Sequence, residues 1–197
     1  MQAHTRPSAR DRLLAAADEL FYAEGVHTVG IDRIIEHAGV AKATLYSAFG
    51  SKDELVAAYL YGRLGARQRR IDKKLAGIED PRERILAIYD ALGDAMRENN
   101  YRGCAFARAS AESHPGAAVA RQIDASRAWL HGLFRDLAAE LGAVEPDRLA
   151  KQLVLLYDGV TNASLLDRDP EAAATARAAA ALLVSNCELR SPDARLG

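Results

Sequence analysis

Apolar residues recur along the chain at intervals of three and four, the spacing that lines one side of an α-helix. Leu13, Leu14, Ala17, Leu20 and Phe21 form the first stripe, opened by Ser8 with Asp11 in a capping-box arrangement and closed by Gly25. Ile31, Ile34, Ile35 and Ala38 form a second, shorter one. Gly39 breaks it, because a glycine there can take the left-handed conformation that ends a helix, and Val40 can plug the angle to the next. Leu45 and Phe49, spaced i and i+4, face inward from a third helix. Gly50 closes that helix, and Ser51 with Glu54 opens a long fourth one to about Ala76, with Leu55, Ala58, Tyr59, Leu64 and Ile71 on its buried side.

Asp80 and Pro81, a cap followed by proline at the first helical position, start a fifth helix to about Asn99, lined by Ile85, Ile88, Tyr89, Leu92 and Met96. A short helix from Cys104 to Ser113 stops at His114-Pro115-Gly116. A longer one carries Val119, Ile123, Leu130, Leu133, Phe134, Leu137 and Leu141 and ends at Gly142. The last two begin near Pro146, with Leu149, Leu153, Leu156, Val160 and Ala163 in one stripe, and at Asp169-Pro170. In the final helix Ala172 to Val184 is apolar around much of its circumference, so one side packs on its own body and the other needs a partner. Ser191 to Gly197 lacks periodicity and is expected to fray. The fold predicted is all-α, with about nine helices.

Two short helices joined at Ala38, Gly39 and Val40 read as a helix-turn-helix. The second presents Lys42, Thr44, Tyr46, Ser47 and Ala48 outward, a set suited to a DNA groove: lysine neutralises phosphate, hydroxyls bond phosphate oxygens, and small side chains permit close approach. No arginine or amide side chain sits there, so base-edge readout is sparse.

Charge weighs the other way. The net charge is -1, and residues 1 to 60 hold six Arg or Lys against eight Asp or Glu. Binding would rest on local geometry, with Arg10, Lys42 and Lys52 near phosphates and helix N-termini assisting. The basic run Arg63, Arg67, Arg69, Arg70, Lys73 and Lys74 reads as a solvated helix face.

The string Ala38-Gly39-Val40-Ala41-Lys42-Ala43-Thr44-Leu45-Tyr46-x-x-Phe49-x-Ser51-Lys52-x-x-Leu55 resembles the TetR family of bacterial transcriptional regulators, over roughly the first 60 residues by motif. Ala41 departs from the serine cap frequent at its position, a cap worth about 1 kcal/mol. Ser47 and Ala48 stand where larger side chains are frequent. The resemblance implies a three-helix DNA-binding head over residues 1 to 50 and a helical ligand-binding and dimerisation body over residues 51 to 197, joined by the fourth helix as a lever. It gives Thr28 a phosphate contact; read from sequence alone, Thr28 equally caps the next helix. It also implies a homodimer in which the last two helices form a four-helix bundle with their copies. Two recognition helices would then reach successive major-groove faces about 34 to 36 Å apart, on a pseudo-palindromic double-stranded operator.

A small-molecule effector would act by binding better to the form whose heads are splayed. Tyr89, Met96, Cys104, Phe106, Trp129, Phe134, Tyr157 and Asn162 are candidates for lining its pocket, although such residues at helical spacing are core packing more often than pocket wall. Cys104, flanked by Arg102 and Arg108, is either a thiol sensor or a buried structural residue. Neither a cofactor nor a metal is expected, because His4, His27, His37, His114 and His131 are scattered. With two cysteines, no membrane-length apolar run and a polar start from Met1 to Pro7, the chain is expected in the cytoplasm. No enzyme motif appears. The reading is a dimeric ligand-released repressor. The alternatives are a DNA-binding protein without an inducer and an all-helical small-molecule binding protein or enzyme whose head no longer binds DNA.

Overall fold

The computed structural model describes residues 7–111 and 116–190. His4, the stop at His114-Pro115 and the tail from Ser191 to Gly197 lie outside them. The described residues form nine helices: α1 (Ala9–Glu24), α2 (Ile31–Ala38), α3 (Lys42–Phe49), α4 (Lys52–Leu75), α5 (Pro81–Met96), α6 (Ala105–Ala111), α7 (Ala117–Glu140), α8 (Pro146–Leu166) and α9 (Ala172–Asn186). The all-α architecture is the one the periodicity predicts. Two compact units result, Met1–Gly65 with Cys104–Ala125, and Ala66–Gly103 with Ser126–Gly197.

In the first unit α1 packs on α2 and α3. Its core holds Leu13, Phe21, Val29, Ile34, Leu45, Leu55 and Leu60. The capping box on α1 is complete: Asp11 N–H donates to Ser8 Oγ at 3.1 Å, and Ser8 N–H donates to the Asp11 carboxylate at 3.2 Å. Arg63 is not a solvated residue of a basic face. Its guanidinium lies 3.7 Å from the Tyr22 ring centroid, and it donates to Asp18 at 2.9 Å.

A second tie joins the start of α4 to the start of α7. Asp53 Oδ2 accepts from Ala118 N–H at 3.3 Å, capping α7 from another helix, and a Cβ on Gly116 would stand 2.3 Å from Asp53 Oδ1. Gly116→Ala is therefore expected to push Asp53 off the Ala118 N–H. The cost should approach that of a lost helix cap, about 1 kcal/mol, read as a lower midpoint in urea unfolding.

The second unit has a continuous core of Ile85, Ile88, Tyr89, Leu130, Phe134 and Leu153, closed by α9 packing on both α5 and α8. Gly93 permits close approach there, since a Cβ on it would lie 3.2 Å from Ala173 Cβ. More of the basic run is tied down in this unit: Arg67 donates to Ser126 Oγ at 3.2 Å, Arg70 to Glu98 at 3.2 Å and Lys74 to Asp94 at 2.8 Å. The Lys74 hydrogen bond holds the Asp94 carboxyl below its ordinary pKa.

Two helix ends differ from expectation. α5 stops at Met96 and not at Asn99. Asp169 Oδ1 does accept from Glu171 N–H at 2.8 Å, but regular helix begins only at Ala172, so Pro170 belongs to the preceding turn. After α9 the chain returns as an isolated antiparallel bridge between Ala143 and Leu189.

Candidate functional site

α2 and α3 owe their relation to the turn between them. Gly39 adopts φ 62° and ψ 46°, its N–H bonds back to Glu36 O at 3.1 Å, and Val40 N–H reaches Ile35 O at 3.1 Å, which ties off the α2 carbonyls. Ile34 and Ala38 on α2, with Leu45 and Phe49 on α3, are buried. Arg12 on α1 donates from Nε to Ala38 O at 3.2 Å and fixes the end of α2. The buried pair on α3 sets what faces out.

Lys42, Ala43, Tyr46 and Ser47 are exposed, while Thr44 and Ala48 are half-buried at the margin. At 100° per residue, Ala43 and Ser47 lie opposite Leu45 and Phe49, with Lys42 and Tyr46 on one flank and Thr44 on the other. Ala43 is not among the residues that the sequence singles out, because a small apolar side chain gives no chemical signal. Thr28 is exposed before α2, and the position that caps α2 is Gly30, without a side-chain hydrogen bond, so the capping role considered for Thr28 is not the one it has. Ala41 likewise leaves α3 without a side-chain cap.

The described cations on and around α2 and α3 are engaged. Lys42 Nζ donates to Asp32 Oδ1 at 2.9 Å, and that hydrogen bond raises the Lys42 pKa above its ordinary value. Lys52 is half-buried with its Nζ 6.0 Å from the Phe21 ring centroid, and the Arg10 guanidinium stands 4.8 Å from that of Phe49. Arg33 makes a two-pronged pair with Glu24.

The eight candidates for the pocket divide between the units. Phe106 is buried and Cys104 half-buried in the first. In the second, Tyr89, Phe134 and Tyr157 pack ring on ring with centroids 5.9 to 6.4 Å apart, and the Tyr89 hydroxyl donates to Leu153 O at 2.7 Å. Burial pushes the Tyr89 phenol pKa upward. Met96 and Trp129 are half-buried against this core. Asn162 is exposed and shares the outer side of α8 with Leu155, Gly159 and Leu166, so it stands outside the core that holds the rings. A groove of about 410 Å³ lies elsewhere in this unit, lined by Arg148, Leu149, Gln152, Leu182 and Cys187 among others. Among the described residues no group of three or more His, Cys, Asp or Glu could hold a metal ion, and no helix is long and apolar enough to cross a membrane.

Residues 13–59 match the family model described as bacterial regulatory proteins, tetR family. The transcriptional activator FasR of Mycolicibacterium smegmatis is 35% identical over 48% of this chain and 43% of its own length. The repressor NemR of Escherichia coli K12 is 31% identical over 57% of each. The chain thus spans about half the length of the curated relatives it matches. Coverage is fuller for the solved structure of SCO4454, a TetR-family transcriptional regulator from Streptomyces coelicolor: 34% identity, a TM-score of 0.84, and 91% of this chain matched to 95% of that one. With the head motif, the all-α fold and this near-complete correspondence in agreement, the chain belongs to the TetR family of bacterial regulatory proteins.

Proposed function

We propose that the protein is a homodimeric transcriptional regulator that binds double-stranded DNA as a repressor and is released from a pseudo-palindromic operator by a small molecule. The observation that carries DNA binding is the exposed side of α3. Leu45 and Phe49 anchor the helix from beneath, which leaves Ala43, Tyr46 and Ser47 outward, with Lys42 on their flank, as the side to enter a major groove; on this reading Thr28 and Lys52 contact phosphate. Residues 1 to 50 form the reading head on this proposal, and residues 51 to 197 carry effector binding and dimerisation. Work in the cytoplasm follows from the need to meet the chromosome.

Dimerisation is supported by the outer sides of α8 and α9. Leu155 is 71% and Leu182 67% exposed, each about one turn from a small residue, Gly159 and Ala178. The effector is placed near Tyr89, Phe134 and Tyr157, with Met96 and Trp129 at their half-buried edge; a ligand there would have to part the rings, which supplies the differential affinity that release requires.

The slightly acidic balance of residues 1 to 60, six Arg or Lys against eight Asp or Glu, favours a second reading, an all-helical small-molecule binding protein or enzyme whose head no longer binds DNA. Selection of bound sequences from random duplex DNA, at two salt concentrations, separates the two: enrichment of a short inverted repeat supports the regulator, and its absence supports the alternative. On the enriched repeat, Tyr46→Ala is expected to weaken binding about tenfold with the dimer intact, by fluorescence anisotropy. Unchanged affinity would remove Tyr46 from the interface.

A further inference from the structure

Among their described residues, the head and the start of α4 are poor in free positive charge. Of its described Arg and Lys residues before Ala57, Arg10 lies against Phe49, Arg12 donates to Ala38 O and Pro7 O, Arg33 pairs with Glu24, and Lys52 lies over Phe21. Lys42 differs from these four in standing on α3 itself with a carboxylate as its partner. It opens the exposed helix α3, and its Nζ is held 2.9 Å from Asp32 Oδ1 by a carboxylate on α2, the other helix of the motif. Both side chains are in solvent, Lys42 55% and Asp32 82% exposed. The pair therefore closes with little burial and opens without breaking any packing.

We infer that Asp32 is an internal stand-in for DNA phosphate, which occupies the Lys42 ammonium in the free protein and must be exchanged for a phosphate oxygen when the head docks. This deepens the proposed function and rests on it. A carboxylate and a phosphate oxygen offer an ammonium the same kind of charge-assisted hydrogen bond, and an ammonium that kept both would hold two anions side by side, so repulsion between carboxylate and phosphate drives the exchange. On release, the Asp32 carboxylate is left negative beside the DNA backbone. Two consequences follow for affinity. Binding by Lys42 yields less than a free lysine would, because an ion pair is broken as another forms. The salt dependence is also shallow, because counterion release from DNA is offset by a new unpaired carboxylate on the protein. Asp32 on this account limits promiscuous attraction to DNA, so that contacts of shape and hydroxyl groups weigh more in the choice of site.

The test compares the full chain with Asp32→Asn, Lys42→Ala and the double variant, each on the selected duplex and on unrelated duplex DNA across a salt series. Asp32→Asn is expected to bind both duplexes about tenfold more tightly at low salt, with the slope of log K against log salt steeper by about one unit per head. In the Lys42→Ala background the same substitution should do much less. Equal tightening with and without Lys42 would mean that Asp32 merely repels DNA, and weaker binding by Asp32→Asn would mean that it positions Lys42; either result overturns the exchange. A readout without DNA stands beside these. After reductive methylation with labelled formaldehyde, the Lys42 resonance should titrate at lower pH in Asp32→Asn than in the parent, and an unmoved titration would show that the pair does not form. Failure of parent and variant alike to bind any duplex would instead overturn the regulator reading, and the exchange with it, while the titration still reported the pair.

Discussion

Leu182→Glu is expected to turn the proposed dimer into a monomer and to lower affinity for an inverted repeat by two orders of magnitude or more. Leu182 is 67% exposed on α9, outside the core that Ala176, Ala180 and Val184 enter from the same helix. Burying a leucine against a partner is worth about 1.5–3 kcal/mol, and a two-fold axis uses each such residue twice. A carboxylate in its place must be desolvated without a designed partner, which reverses the sign of both contributions. Arg148 lines the same groove as Leu182 and can rescue a carboxylate there, so Ala178→Glu, one turn earlier on the exposed side, serves as the companion variant. Sedimentation velocity reads the mass, and circular dichroism should show the helices unchanged. Survival of the dimer in both variants would place the interface elsewhere.

Phe134→Ala is expected to destabilise the protein by about 3–5 kcal/mol, the range for emptying a fully buried aromatic site. Phe134 has no solvent exposure and touches the rings of both Tyr89 and Tyr157, at 5.9 and 6.4 Å between centroids. The loss combines apolar transfer, the ring contacts and a void that α5, α7 and α8 cannot close without bending. Urea unfolding measures it, and a change under 1 kcal/mol would show that the aromatic cluster repacks freely. The void also offers a check on the proposed effector site: benzene or another small apolar probe should stabilise the variant more than the parent.

The head was legible from sequence because local signals there agree. Ser8 with Asp11, the i, i+3, i+4, i+7 apolar run ending in Ala38, the glycine after it, and Leu45 with Phe49 each specify one thing, and the structure has each of them. Long-range features were not legible. The basic run on α4 looks like a solvated face because nothing near Arg63 in the chain announces Tyr22 and Asp18, which reach it only through the fold. Val29 is fully buried, yet one apolar residue in a loop has no period to reveal it. In α9 alanine on nearly every side removes the contrast from which a face is read, so sequence does not say that Leu183 turns partly inward and Leu182 outward. Of the proposed site, the side chains of α3 were within reach of sequence; Asp32 was not, since an acidic residue in the first turn of a helix is ordinary.

The packing of α9 on α5 bears on how the protein is made. α1, α2 and α3 find one another within a short stretch of chain, whereas α5 waits for α9, whose Ala173 must settle against Gly93. Contacts close in sequence form quickly and distant ones slowly. On the ribosome the three helices that carry the motif can therefore associate while the second unit still lacks the helix that closes its core. A nascent chain stalled before Ala172 would carry the folded motif together with an apolar core still lacking its closing helix, and at that stage chaperones would be its partners.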